Sequence, residues 1–147
     1  MDSRSSARLA MNEYKCADMR VGQEADFSIV LTERMLALFL EISGDSNPLH
    51  LDGDYARRHG FAGRVAYGLL VSSFYSRLVG LYLPGRYALL HGLEVAFVKP
   101  VYEGETLKVS GRVSGINAAF RQIVIKANIQ RGEETVSRAK IKAGFYE

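Results

Sequence analysis

The stretch Ser43-Gly-Asp-Ser-Asn-Pro-Leu-His50 sets a carboxylate, Asp45, five residues before an imidazole, His50. In isolation the two groups ionise near pH ~3.9 and ~6.5. Placed on either side of one water, such a pair lets one group accept a proton while the other donates one. Pro48 stiffens the turn and biases Asn47 away from the helical region. Asn47 can fix the loop through side-chain-to-backbone hydrogen bonds. The same residues are also ordinary turn formers, so the pattern by itself leaves both readings open. Two other histidines compete for a chemical role. His59 stands among charged residues at a helix end, where it suits the helix dipole. His91 begins a strand, where a rim or packing role is the default. Cys16 is the single cysteine, which excludes an intrachain disulfide framework and a cysteine-based zinc cluster. Nothing beside it in sequence is activating.

These residues need elements to hold them. The first half of the chain reads helical and the second half reads as strands. Ala25 to Ile29 alternates apolar and polar and predicts a first strand. Thr32 can cap a helix whose apolar residues are Met35, Leu36, Leu38, Phe39 and Ile42, and Gly44 ends it. Ser43 to Leu51 then reads as a loop. Asp52 or Asp54 can cap a short helix through His59, stopped by Gly60. Tyr67 to Leu83 is apolar nearly all round, which predicts a helix buried on most sides and ended by Leu83-Pro84-Gly85.

After that helix the period falls to two. Glu94 to Val98, Leu107 to Val113, Ile123 to Ile129 and Thr135 to Phe145 read as strands. The turns contain Glu103-Gly104, Ile116-Asn117-Ala118 and Arg131-Gly132-Glu133, and turns this short predict an antiparallel meander. One buried helix with strands on both sides of it in sequence predicts an α+β domain, a curved antiparallel sheet wrapped around a long central helix. Residues 1–12 read as a frayed tail and residues 13–147 as the domain.

Composition bounds the class. A chain of 147 residues suits one domain. Apolar and charged fractions of 48% and 24% exclude wholesale disorder. The net charge of +3 comes with no dense Lys/Arg stripe interleaved with aromatics, so no nucleic-acid partner is expected. The charge is compatible with an anionic ligand or an acidic partner protein. No apolar run approaches the ~20 residues that span a bilayer. The Ser/Arg-rich first residues are followed by no signal-peptide core, so a cytoplasmic protein without a membrane partner is expected.

Taken together, Ser43-Gly44-Asp45-Ser46-Asn47-Pro48-Leu49-His50, with Ala56 six residues on, resembles the signature of the MaoC-like, R-specific enoyl-CoA hydratases of the hydratase-2 type. The context agrees: Asp52, Tyr55-Ala56, Phe61, the helix opened by Gly68-Leu69-Leu70, the Leu83-Pro84-Gly85 stop, Phe97-x-x-Pro100-Val101 and Gly104-Glu105-Thr106 follow in order. The resemblance covers roughly Phe27 to Phe145. It implies a hot-dog fold and a homodimer joined edge to edge, with acyl-thioester tunnels near the interface. It implies hydration of trans-2-enoyl thioesters, with Asp45 and His50 holding the catalytic water and the Gly68 amide meeting the thioester oxygen. Asn47, Tyr67, Ser76 and Leu93 fall at positions expected near the substrate. No metal and no redox cofactor is required.

Two positions depart from the pattern. Tyr67 stands where many members have His, and Leu93 where many have Gln; both touch substrate range more than reaction type. The thioester carrier, coenzyme A or an acyl carrier protein, is expected to meet basic residues, and Arg57, Arg58, Arg64, Arg86 and Lys99 are the candidates. The same residues would serve 3-hydroxyacyl-thioester dehydration in reverse. A hot-dog thioesterase and a non-catalytic acyl-thioester binder are the remaining alternatives.

Overall fold

The computed structural model describes residues 9–147. The first eight residues of the expected tail lie outside the described residues. Asn12, at its end, is held: its amide N–H donates to the Leu81 carbonyl at 2.8 Å, and its carbonyl accepts from the Arg86 amide at 2.8 Å.

Strand β1, Glu24–Val30, leads into helix α1, Glu33–Ser43. Thr32 caps α1 through its hydroxyl, which accepts from the Met35 amide at 3.2 Å. Gly44 closes the helix, donating its amide to the Leu40 carbonyl at 2.8 Å. The expected loop contains one short helical turn, α2, Pro48–Leu51, started by Asn47 as its cap and by Pro48 at its first position. Asp52 then caps α3, Gly53–Arg58, accepting from the amides of Asp54 and Tyr55. The long apolar segment becomes α4, Gly68–Arg77, and continues as a wider π-helical turn, Leu78–Tyr82.

Four more strands follow: β2, Ala88–Phe97; β3, Thr106–Asn117; β4, Gln122–Arg131; and β5, Glu134–Phe145. They form one sheet with β1 in the order β1-β3-β4-β5-β2, and every neighbouring pair is antiparallel. The meander expectation holds for β3, β4 and β5, which are joined by tight turns. It needs correction at β2, which pairs with β5 and sits at the edge opposite β1. The cause is the long connection from Val98 to Glu105. It starts by tying back onto β5, with the Val98 and Lys99 amides donating to the Val136 carbonyl, and Pro100 then has no amide to continue a ladder.

Inward residues of the sheet pack on α4. Leu107, Val109 and Val113 of β3, Ile123, Ile125 and Ile129 of β4, and Ile141 of β5 are fully buried. They meet Leu70, Val71, Phe74, Tyr75 and Leu78 in one core. At position 111 a Cβ would stand 2.7 Å from Cδ2 of Leu78, so only glycine lets the helix lie this close to β3. This is the hot-dog arrangement: a curved antiparallel sheet around a central helix.

The helix is less enclosed than its composition predicts. Leu69 is 70% exposed, and Ser73 and Ser76 are exposed with it. The neighbouring edge strand β2 also shows Leu89, Leu90, Leu93 and Phe97 to solvent. Among the described residues no helix is long and apolar enough to cross a membrane.

Candidate active site

The loop after α1 is fixed by short side-chain links. The Ser43 hydroxyl donates to the Phe39 carbonyl at 2.7 Å and accepts from the Asp45 amide at 3.1 Å. Asp45 Oδ1 accepts from the Asn47 amide at 3.1 Å, and Asn47 Oδ1 accepts from the Leu49 amide at 3.0 Å. These are the local bonds that Asp, Asn and Ser offer a turning chain. They leave Asp45 Oδ2 free, and it faces His50 Nε2 at 3.8 Å.

That distance is too long for a direct hydrogen bond and suits a water or hydroxyl that touches both groups. His50 is oriented from behind: Nδ1 lies 2.7 Å from the Val65 carbonyl, a contact that requires a hydrogen on Nδ1. Nε2 is therefore the nitrogen presented to Asp45. The His50 side chain is 16% exposed and that of Asp45 47%, which places the pair at a mouth, not in a sealed core.

Tyr67 is buried against this pair. Its ring centroid lies 4.2 Å from that of His50 and 4.9 Å from that of Phe39. Its hydroxyl donates to the Asp45 carbonyl at 2.9 Å. Burial, and then the Asp45 charge, push the Tyr67 phenol above its ordinary pKa, so it remains a protonated donor at neutral pH.

Gly68 follows and opens α4. Tyr67, at the cap position, makes no side-chain cap, so the first-turn amides lack both a helical partner and a side-chain cap. Those amides and the helix dipole favour an anion at this end.

Asp45, His50, Tyr67 and Gly68 share the lining of one cleft of about 610 Å³. Its other walls are apolar: Phe39, Val71, Phe97, Val101 and Val136. Lys99 stands in the same lining. At the inner wall Ser137 is buried, and its hydroxyl accepts from Tyr75 at 2.9 Å. Burial drives the Tyr75 phenol up to about 12, partly offset by that bond to Ser137.

The remaining candidates lie elsewhere in the single chain. Asn47 is exposed and caps α2. Ser76 and Leu93 line a separate hollow of about 180 Å³, and Leu69 lines both this hollow and the cleft. Arg57 and Arg64 line a neighbouring polar cleft of about 850 Å³. Arg57 pairs with Asp54 at 2.8 Å, while Arg64 lies 3.7 Å from both Glu33 and Glu103. Arg86 is exposed and pairs with Glu13 at 3.0 Å, and Arg58 is exposed on α3. His59 bonds the Tyr55 carbonyl and His91 meets Gln122, both away from Asp45. Phe39 and Ser137 line the cleft and Tyr75 backs Ser137 from the side of the smaller hollow, and none of the three is a site candidate on sequence grounds. A serine at an inward position of an otherwise apolar strand was the one available signal.

Comparison with known proteins agrees with this architecture. Residues 17–135 match the MaoC like domain. The (R)-specific enoyl-CoA hydratase of Rhodospirillum rubrum is 34% identical over 67% of this chain and 69% of its own length. A mitochondrial 3-hydroxyacyl-[acyl-carrier-protein] dehydratase of Arabidopsis thaliana is 34% identical over 60% of this chain and 52% of its own. The solved structure of an unliganded R-hydratase from Pseudomonas aeruginosa superposes with a TM-score of 0.83 at 30% identity, covering 90% of this chain and 86% of that one. The family match runs from before β1 into the start of β5 and takes in the Asp45 loop and the α4 N-terminus, so the chain belongs to the MaoC like domain family of hydro-lyases.

Proposed function

We propose that this protein hydrates trans-2-enoyl thioesters of coenzyme A or an acyl carrier protein to (3R)-3-hydroxyacyl thioesters, and catalyses the reverse dehydration. The observation that carries the reading is the Asp45 Oδ2 to His50 Nε2 gap of 3.8 Å at the mouth of an apolar cleft that also holds the α4 N-terminus. Relatives named as hydratases and as dehydratases support both directions.

The residues divide the work as follows. Asp45 Oδ2 and His50 Nε2 hold the water between them. As the water oxygen bonds to C3, Asp45 takes one of its protons, and the C2–C3 electron pair moves toward the thioester oxygen. The first-turn amide of Gly68 meets the negative charge that builds there. The Asp45–His50 pair then delivers one proton to C2 on the face where hydroxide entered, so one water is added syn. Apolar walls hold the acyl chain. Lys99 in the cleft lining, and Arg57 and Arg64 in the polar cleft beside it, are the basic groups placed to meet an acidic carrier; Arg58 and Arg86 stand outside both clefts.

The active unit is a homodimer joined through β2. The two sheet edges differ. At β1 the exposed residues include Glu24, Asp26 and Ser28, the charged and polar kind that keeps an edge single. At β2 they include Leu89, Leu90, Leu93 and Phe97, and of these Leu90, Leu93 and Phe97 share a hollow or cleft wall with Leu69 on α4. An apolar edge beside an apolar helix face is a pairing surface.

The test is turnover of trans-2-enoyl-CoA substrates of graded chain length and one carrier-protein-linked substrate, followed by loss of the conjugated double bond. Asp45→Ala and His50→Ala are expected to lower kcat by about 10²–10⁴-fold with the fold intact. Near-wild-type turnover in either variant, or an S product, overturns the proposal. Thiol release without a 3-hydroxyacyl product would assign the cleft to thioester hydrolysis instead.

A further inference from the structure

We infer that Tyr67 is a positioning residue that ties the Asp45 loop, the His50 ring and the α4 N-terminus into one geometry. The inference rests on the hydratase reading for its kinetic consequence and on the structure alone for the tether.

The Asp45 loop needs a long-range anchor. Ser43 to Pro48 are all exposed, and the bonds within the loop are local, reaching four residues at most. Among the described residues, one hydrogen bond reaches the stretch 44–47 from a distant part of the chain: Tyr67 hydroxyl to Asp45 carbonyl, 22 residues apart in sequence. Without it the loop hangs between the end of α1 and the short turn α2.

The same side chain fixes the second member of the pair. The Tyr67 ring is sandwiched between Phe39 of α1 and His50 of α2, tilted 49° to the first and 31° to the second. Tyr67 is 2% exposed, so neither contact can be made by water in its place. His50 Nδ1 is held by Val65, two residues upstream of Tyr67, so both constraints on the imidazole come from one short extended segment. The next residue, Gly68, supplies the first amide of α4. One side chain and its neighbour thus set the positions of the carboxylate, the imidazole and the amide donor.

The hydroxyl is committed to backbone and not to substrate. A phenol has one hydrogen to donate, and here it goes to the Asp45 carbonyl. Because burial and the Asp45 charge keep this phenol protonated, the donor persists across the working pH range. Tyr67 therefore acts through Asp45 and His50.

The experiment is Tyr67→Phe, which keeps the ring and removes the tether. In the wild-type background kcat on trans-2-enoyl-CoA is expected to fall about 10-fold with KM within about twofold, since a displacement of about 1 Å at a reacting pair can cost on the order of 10²-fold and the local turns limit the drift. In the Asp45→Ala background the same substitution is expected to change the residual rate by less than about twofold, because the group it positions is gone. Amide exchange at Asn47 and Leu49 is expected to quicken about 10-fold in Tyr67→Phe while core amides keep their protection. An unchanged kcat, a KM rise with kcat retained, or a full 10-fold loss persisting in Asp45→Ala overturns the inference. If the wild type hydrates nothing and Asp45→Ala changes nothing, the hydratase reading fails by itself. The exchange rates then still decide the tether, and unchanged protection at Asn47 and Leu49 overturns it.

Discussion

Replacing Gly68 by alanine separates chemistry from folding. A Cβ at this position would stand 2.9 Å from Cε1, 3.1 Å from Cζ and 3.3 Å from Cδ1 of Phe97. Carbon contacts are comfortable at ~3.5–4.0 Å, so the ring must move by several tenths of an ångström. In the single chain it has room to do so: Phe97 is 57% exposed and ends the edge strand β2. Gly68 is not among the left-handed glycines, so alanine meets no backbone strain. Alanine is also the better helix former by up to ~1 kcal/mol. The unfolding free energy of Gly68→Ala is therefore expected to stay within about 1 kcal/mol of wild type.

Turnover has no such relief. The new methyl group lies at the cleft lining beside the first-turn amides, where the proposed reaction brings the thioester oxygen close to backbone. Pushing that oxygen out by about 1 Å costs on the order of 10²-fold. Loss of one oxyanion donor elsewhere costs about 10²–10³-fold, which brackets the same range. The assay is the initial rate of double-bond loss across substrate concentrations, with a urea midpoint on the same preparation. A kcat within about threefold of wild type with an unchanged midpoint would refute the placement of the thioester oxygen at the α4 N-terminus.

Three further outcomes are expected. The folded phenol of Tyr75 titrates at about 12, above the ~10 of an unfolded one, so its contribution is complete below about pH 10 and is lost as pH rises toward 12. Tyr75→Phe should flatten the fall of the thermal midpoint over that window, and parallel profiles would count against it. Arg131 binds both Glu105 oxygens at 2.9 and 2.7 Å, the Pro100 carbonyl at 3.0 Å and Glu134 at 3.1 Å, and so ties β4 to the crossover that walls the cleft. Arg131→Ala should lower the unfolding free energy by about 2 kcal/mol in urea, and a change below about 0.5 kcal/mol would mean the network is idle. Leu93→Lys adds a charge to an exposed β2 position and should shift sedimentation from dimer to monomer without unfolding; a persistent dimer would move the interface away from β2.

Local chemistry was the legible part of the chain. Thr32 and Gly44 bracket α1 as their side-chain types require, and Asp52 caps α3, because caps depend on residues a few positions apart. The alternation of β3, β4 and β5 was equally plain, since each buries one face on α4. The strand pattern of β2 shows only from Glu94, whereas the strand starts at Ala88. Its register breaks between Leu90 and Gly92, so the alternation does not run through. Its place at the far edge was hidden for another reason: Ala96 pairs with Arg138, a contact that no short-range pattern encodes. The same limit applies to the site. The order Asp45, Asn47, Pro48, His50 was visible, whereas the Tyr67 hydroxyl on the Asp45 carbonyl and the Tyr75 bond to Ser137 join residues 22 and 62 positions apart. The family resemblance puts Ser76 and Leu93 near the substrate, and within one chain they line another hollow.

That hollow and the cleft are linked by where β2 stands. Phe97 and Val98, at the end of β2, wall the cleft, and Leu90 and Leu93, further back on the same strand, wall the hollow. Leu69 lies between, exposed on α4 and shared by both. A strand with a single hydrogen-bonded neighbour is the least constrained part of a sheet, yet here it forms one side of the space in which an acyl chain would lie. Pairing β2 with its copy would give the strand a second neighbour, cover Leu69, Leu90 and Leu93, and steady Phe97 over Gly68 in a single step. If the proposed β2 pairing forms, the cleft's shape depends on it, and turnover should fall with the dimer in Leu93→Lys even though Asp45 and His50 are untouched.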